Sequence, residues 1–161
     1  MKIFVTGIQR GGTHFLADYL AKKYKLKYIE EREFFNHDLN KLDELIEEDC
    51  VIQCPCLKDN IPKIKKLYPD SIVIWMHRDV VECVESMTKV NWQKSAIAEA
   101  DRLQNKIPLC HSQNFFESIV LTSLELGFIY FKQGYVDFLI NMKSLEGLEG
   151  FKKNQGVIGL K

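Results

Sequence analysis

A glycine-rich turn between an apolar strand and an amphipathic helix opens the chain, and this feature constrains the fold most. Residues 2–6 are apolar enough to predict a strand, and the turn begins directly after them at Gly7. Residues 12–24 predict a helix with its apolar side chains on one face. Glycines let backbone N–H groups turn inward, and a helix N-terminus adds partial positive charge. The sequence therefore predicts an anion-binding cradle between a strand and a helix.

Strand-like segments alternate with helical segments along the rest of the chain. Strands are predicted at residues 2–6, 26–30, 50–54, 71–77 and 135–139. Helices are predicted at residues 12–24, 38–48, 61–67, 80–88, 93–103 and 114–131. Most of the strand segments are apolar runs without strict alternation, which is typical of a parallel sheet buried on both faces. This alternation predicts an α/β fold whose ligands bind beyond the carboxyl ends of the strands.

The composition indicates one folded domain over residues 1–161 and argues against several classes of protein. Basic and acidic residues both number 22, so the net charge is zero and no nucleic-acid partner is expected. The longest apolar helical stretch, residues 118–131, is short for a membrane span and includes Glu125, so no membrane partner is expected. The five cysteines show no paired spacing, and the chain opens on a strand and not on a signal peptide. We therefore expect reduced thiols and a cytoplasmic location.

The glycine-rich turn keeps half of the nucleotide-triphosphate loop G-x-x-x-x-G-K-[ST]. Gly7 and Gly12 have the required spacing, but Thr13 stands where the lysine should be and His14 where the Mg²⁺-binding hydroxyl should be. The cation of the loop is instead Arg10. A loop of this kind is not built for Mg·ATP, although a P-loop nucleotide kinase or NTPase with a degenerate loop remains an alternative.

Residues 9–15 resemble the phosphosulfate-binding loop of the sulfotransferase family, P-[KR]-[ST]-G-T-T-[WFL]. The segment matches that pattern at the cation Arg10, at Gly12, at Thr13 and at the aromatic Phe15. It departs from the pattern at Gln9, Gly11 and His14. A glycine turn that only packs a helix on a strand is the alternative.

A second segment, residues 78–86, resembles the family motif R-[DN]-x-x-[DE]-x-x-x-S, which follows a strand. Arg78 and Ser86 stand at the two ends of this motif, and the family uses them to bind the 3′-phosphate of the sulfate donor. An arginine at a strand end and a serine two helical turns later can reach one phosphate, and the guanidinium fork matches phosphate geometry. The alternative is an arginine paired with Asp79 or Glu82 and an exposed serine.

A third segment resembles the F-R-K-G sequence that covers the 3′-phosphate in cytosolic sulfotransferases. It comprises Phe151, Lys152, Lys153 and Asn154, so the arginine and the glycine of the family pattern are both changed. On this resemblance Lys152 and Lys153 bind the donor; the alternative is a solvated basic tail.

The resemblance implies a P-loop-type three-layer α/β/α fold with a five-stranded parallel sheet in the order 2-3-1-4-5. It also implies transfer of a sulfuryl group from 3′-phosphoadenosine 5′-phosphosulfate to a hydroxyl or amine of a small-molecule or glycan acceptor, without a metal. Arg10 is expected at the bridging oxygen of the donor, and the N–H groups of Gly11, Gly12 and Thr13 at its 5′-phosphosulfate. His14 is expected to donate to the sulfonate oxygens.

The general base is expected after the second strand. Cytosolic family members use a histidine after the third strand, which this chain lacks, whereas other branches use a glutamate in the context E-x-x-F-F. Glu31 fits that context, with Glu33 and His37 as the next candidates. These acids could instead form only a solvated strand end, in which case the chain would be a non-catalytic nucleotide-binding module.

A zinc site is not expected from the cysteines and histidines. The residues that could be considered are Cys54, Cys56, Cys110 and His111. Their spacing does not match any standard set of zinc ligands, so no metal is assigned.

Overall fold

The protein is an α/β domain built on one parallel sheet. The computed structural model describes residues 1–34, 38–46 and 49–149. Within these residues the strands are β1 (Lys2–Gly7), β2 (Lys27–Ile29), β3 (Cys50–Gln53), β4 (Ile72–His77) and β5 (Phe138–Asn141). The sheet has the order β2-β3-β1-β4-β5, and every pairing is parallel. The predicted order is confirmed, and the glycine-rich loop follows the central strand.

The α-helices lie on the two faces of this sheet. Within the described ranges they are α1 (Thr13–Tyr24), α2 (Leu39–Leu45), α3 (Ile61–Leu67), α4 (Val80–Lys89), α5 (Gln93–Gln104) and α6 (Phe115–Lys132). Short 3-10 helices follow three strands, at Glu31–Phe34, Pro55–Asn60 and Met142–Leu145. The predicted helices agree with these bounds within about one residue, except for α2, whose predicted end includes residues 47–48 outside the described part.

Two apolar layers hold the helices against the sheet, one on each face. Phe4, Ile52 and Trp75 belong to the cluster that α5 and α6 cover. Val5 and Met76 point to the opposite face, where α1 packs on them. Side chains of neighbouring strand residues alternate between faces, so each apolar strand supplies both layers. The result is the expected three-layer α/β/α arrangement.

The fifth strand begins later than the sequence pattern predicts. Residues 135–139 were expected in the strand, but pairing with β4 begins at Phe138 and continues to Asn141. Val136 is buried, while Asp137 exchanges hydrogen bonds with Val73, whose N–H donates to the Asp137 carboxylate at 2.7 Å. A residue that is buried without pairing to a neighbouring strand gives the same apolar pattern as a strand residue. The predicted strand therefore starts too early in the sequence.

Two further findings concern the state of the cysteines and the apolar character of the helices. None of the five cysteines, all of which lie within the described residues, forms a disulfide. No helix in the described part of the chain has both the length and the apolar character needed to cross a membrane.

Candidate functional site

The loop after β1 is pressed against the carboxyl end of β4. Gly7 has φ 125°, and a Cβ at this position would lie 2.1 Å from the carbonyl oxygen of Met76, so only glycine fits here. The next residue, Ile8, donates its N–H to the same carbonyl at 3.0 Å. These contacts fix the loop at the centre of the sheet edge, where parallel α/β folds bind their ligands.

A tight turn shapes the rest of the loop. The N–H of Gly11 donates to the carbonyl of Ile8 at 2.9 Å, and Arg10 within this turn adopts a left-handed φ of 65°. The N–H of Gly11 was expected to face the donor, but here it closes the turn. Gly12 then precedes α1, whose first N–H groups have no acceptor within the helix. The cradle donors that this geometry favours are therefore those at the start of α1, beginning with Thr13.

Arg10, Arg78 and Ser86 come together beside this loop. The Nε of Arg10 donates to the Oγ of Ser86 at 3.0 Å, and Nη1 of Arg78 lies 3.4 Å from the carbonyl oxygen of Arg10. Burial, and after it the positive charge of Arg78, lowers the pKa of Arg10 from its ordinary value. Two guanidinium groups that repel each other beside a serine hydroxyl form a site that an anion would stabilise.

Arg78 also makes the ion pair that was the alternative to phosphate binding. Its Nε lies 2.8 Å from Oε2 of Glu82, one helical turn into α4. Asp79 instead caps that helix, since its carboxylate accepts the N–H of Glu82 at 3.1 Å. Glu82 therefore orients one edge of the Arg78 guanidinium while Nη1 reaches the loop, so the ion pair and the loop contact coexist.

Glu31 lies in a partly buried position directly after β2. Its N–H donates to Oε1 of Gln53 at 3.2 Å. Burial raises the pKa of the Glu31 carboxyl above its ordinary value. Hydrogen bonds from the Gln53 side chain and from the N–H and thiol of Cys56 oppose this rise, as does the charge of Lys58. A carboxylate that is harder to ionise holds a proton more strongly, which is the property a general base needs.

The two other candidates for the base differ from Glu31. Glu33 is exposed, and its carboxylate accepts the backbone N–H of Glu30 at 2.7 Å. That contact closes the 3-10 turn, so Glu33 has a local structural role. His37 lies outside the described residues. Of the candidates within the described part of the chain, Glu31 is the buried one.

His14 lies beside β2, and Phe15 packs on the next turn of α1. His14 is exposed, and its Nδ1 is 3.0 Å from the hydroxyl of Tyr28 and 3.6 Å from Oε1 of Glu30. The ring of Phe15 stacks on that of Tyr19, with centroids 6.1 Å apart. The structure thus places His14 beside β2, whereas Arg78 follows β4 and contacts Arg10 there.

Gln53 joins the loop to the Glu31 segment, and the sequence analysis missed it. This buried residue ends β3, and its Nε2 donates to Oγ1 of Thr13 at 3.3 Å while its Oε1 accepts the N–H of Glu31. A polar residue at the carboxyl end of a buried strand was the available signal. It was overlooked because the residue was counted as part of the strand and not of the loop that follows.

Two predicted donor-binding lysines lie outside the described residues. Lys152 and Lys153 belong to the undescribed residues 150–161. Among the residues that the structure does describe, no group of three or more His, Cys, Asp or Glu side chains could hold a metal ion.

Comparisons with known proteins give no relative from which a function could be transferred. No protein-family model matches the chain. No curated protein matches it either. The functional case therefore depends on the geometry above and on the motif resemblances.

Proposed function

We propose that this protein transfers a sulfuryl group from 3′-phosphoadenosine 5′-phosphosulfate to a hydroxyl or amine of a small-molecule or glycan acceptor. The observation that carries the proposal is the meeting of Arg10, Arg78 and Ser86 at the end of the central strands. These residues come from two segments that resemble two sulfotransferase motifs. The fold brings them together although 76 positions separate Arg10 from Ser86.

In the proposed reaction the acceptor oxygen or nitrogen forms a bond to sulfur while the bond from sulfur to the bridging phosphate oxygen breaks. The acceptor proton passes to the Glu31 carboxylate. Arg10 stabilises the negative charge that develops on the leaving phosphate, because a fixed cation needs no reorganisation at that moment. Arg78 and Ser86 hold the 3′-phosphate, which takes no part in the chemistry.

The geometry of Thr13 supports this donor over Mg·ATP. Thr13 occupies the position of the lysine in a nucleotide-triphosphate loop, and its side chain is buried against Gln53 at 3.3 Å. His14 occupies the position of the Mg²⁺-binding hydroxyl and lies beside Tyr28. A donor that needs no metal is compatible with both substitutions, whereas phosphoryl transfer relies on Mg²⁺ and a lysine at these positions.

The proposed location is the cytoplasm. Cys50, Cys54, Cys56 and Cys83 are buried and form no disulfide. Burial raises the pKa of the Cys83 thiol to about 12, and the nearby negative charges of Asp79 and Glu82 add to that rise. Burial makes such a thiol unreactive, and it is the free state of all five cysteines that fits a reducing compartment.

A thermal-shift panel tests the proposal against its alternatives. At 100 times its dissociation constant, adenosine 3′,5′-bisphosphate should stabilise the protein by about 2.7 kcal/mol, which raises the melting temperature by roughly 5–10 °C. ATP and ADP with Mg²⁺ should give smaller shifts at the same concentration. Larger shifts with ATP or ADP would overturn the proposal in favour of a nucleotide kinase or NTPase. Selective stabilisation by the bisphosphate without transfer to any acceptor would identify a non-catalytic binding module.

A further inference from the structure

The side-chain amide of Gln53 hydrogen-bonds to two segments of the candidate site. Its Oε1 accepts the N–H of Glu31 at 3.2 Å, and its Nε2 donates to Oγ1 of Thr13 at 3.3 Å. Burial raises the pKa of the Glu31 carboxyl, and a hydrogen bond from the same amide opposes that rise. The residue is 4% exposed, so water does not compete for these bonds.

The orientation of this amide is fixed by its partners. A backbone N–H can only donate, so the amide atom facing the Glu31 N–H must be the oxygen. The two hydrogens of Nε2 are then left for Thr13 and for the Glu31 carboxylate. A flipped amide would place two donors against each other in a buried position, which is costly.

The bond to Thr13 also sets the direction of its hydroxyl. Because Oγ1 accepts from Gln53, its own hydrogen is left to donate to another acceptor. Thr13 is the first residue of α1, where the cradle for an anion begins. A hydroxyl that donates there adds one hydrogen bond to the backbone donors of the helix start.

We propose that Gln53 is a positioning residue that aligns the base Glu31 and the cradle hydroxyl of Thr13 through a single amide. This inference rests on the proposed function. Donor binding and proton acceptance are then linked, since the residue that orients the base also orients a group in contact with the donor.

The charged and titratable groups around Glu31 come from three neighbouring segments. Lys58 and Cys56 belong to the 3-10 helix after β3, Cys54 precedes that helix, and Tyr28 lies on β2. Behind Cys56, the charge of Arg102 on α5 acts on its thiol. None of these groups changes when Gln53 is substituted, so a shift in the Glu31 titration reports the lost amide.

The test follows the Glu31 carboxyl directly by ¹³C NMR titration in the wild type and in Gln53→Leu. Glu31→Gln identifies its resonance. Loss of the amide donor should move the titration of Glu31 to higher pH, and the acid limb of the single-turnover rate should move with it. Affinity for adenosine 3′,5′-bisphosphate should fall about 2- to 12-fold, the value of one ordinary hydrogen bond.

Two further variants keep the test decisive. Thr122→Val removes an equally buried hydroxyl from α6 and should leave the Glu31 titration unchanged. If Gln53→Leu does not fold, Gln53→Glu keeps the shape of the side chain and places a second carboxylate beside Glu31. The repulsion between the two carboxylates should also move the titration midpoint of Glu31 to higher pH. An unchanged Glu31 titration in either folded Gln53 variant would overturn the inference. If the wild type does not select the bisphosphate, the proposed function fails, while the NMR titration still decides the role of Gln53.

Discussion

Arg10 donates a hydrogen bond to Ser86 at 3.0 Å, across 76 positions of sequence. The bond joins the loop after the central strand β1 to the second turn of α4. The motif resemblances assign these two residues to different phosphates of one nucleotide. A bisphosphate would therefore offer each residue a charged acceptor in place of this one bond, and a pair between a guanidinium and a phosphate carries charge on both partners.

Arg10→Ala should lower the transfer rate more than it lowers donor affinity, because the charge of Arg10 matters most as the leaving group develops. The single-turnover rate with saturating donor should fall about 100-fold or more. Arg32→Ala is the matched control, since Arg32 is an exposed arginine paired with Glu30 after β2 and away from the Arg10 loop. An unchanged single-turnover rate in Arg10→Ala would remove Arg10 from the mechanism.

Glu31→Gln should abolish turnover and spare binding of the bisphosphate, because the amide can no longer take the acceptor proton. Glu33→Gln is the matched control and should keep turnover, since the Glu33 carboxylate caps the backbone of Glu30. Turnover and calorimetric affinity measured on both variants decide the assignment. Activity that survives in Glu31→Gln would pass the role to Glu33 or His37.

Glu31 should also make the stability of the fold depend on pH. Because burial raises its pKa in the folded state, the folded chain holds a proton that the unfolded chain has lost over the pH range between the two pKa values. The free energy of unfolding therefore falls as pH rises through this range. Urea unfolding of Glu31→Gln should lack this part of the fall, so the variant gains stability relative to the wild type at neutral pH. Equal pH dependence of the two proteins would contradict the raised pKa.

The sequence predicts the sheet well because its strands are both apolar and ended by turns. The predicted strand at residues 71–77 corresponds to β4 (Ile72–His77), and the helix predicted at residues 61–67 corresponds to α3. The start of β5 was wrong because Val136 is buried by packing before ladder pairing begins. Apolar pattern reports burial, while strand bounds also depend on backbone pairing between distant segments.

The site was predictable where a motif marks it and not where it depends on side-chain packing. Arg78 and Ser86 were identified from their spacing, and the fold brings Ser86 to Arg10. Gln53 carried no motif, and its contacts with Thr13 and Glu31 depend on where β3 lies in the sheet. The turn that takes up the N–H of Gly11 depends on a left-handed residue in the loop, which a sequence pattern does not specify.

The buried ion pair between Lys58 and Glu99 should affect stability mainly when one of its two charges is removed and the other stays buried. Both side chains are almost fully buried, at 2% and 1% exposure, and Ser123 lies 3.4 Å from the Lys58 ammonium. Lys58→Met leaves the Glu99 carboxylate without this cation, which should cost about 3–5 kcal/mol in urea unfolding. The double variant Lys58→Met, Glu99→Leu should recover much of that loss, because it removes both charges of the buried pair and costs Arg102 only a 3.8 Å contact with Glu99. A double variant no more stable than Lys58→Met would contradict this account.

Recognition of the 3′-phosphate separates the proposed function from ATP-using alternatives, and Arg78 is the residue that should carry it. Glu82 is the control position because it pairs with Arg78 at 2.8 Å without being assigned to the ligand. Glu82→Gln should keep binding of the bisphosphate, since the side-chain oxygen of glutamine can still accept from Nε of Arg78 and hold the guanidinium in place.

Calorimetric titration of adenosine 3′,5′-bisphosphate and adenosine 5′-phosphate into the wild type and Arg78→Ala is the most direct measurement. The wild type should bind the bisphosphate well ahead of the monophosphate. Arg78→Ala should weaken the bisphosphate about 10- to 150-fold, the value of one hydrogen bond to a charged group. It should barely change binding of the monophosphate, which lacks the group that Arg78 contacts. Equal binding of the two nucleotides to the wild type would contradict the assignment of a sulfuryl-transfer site.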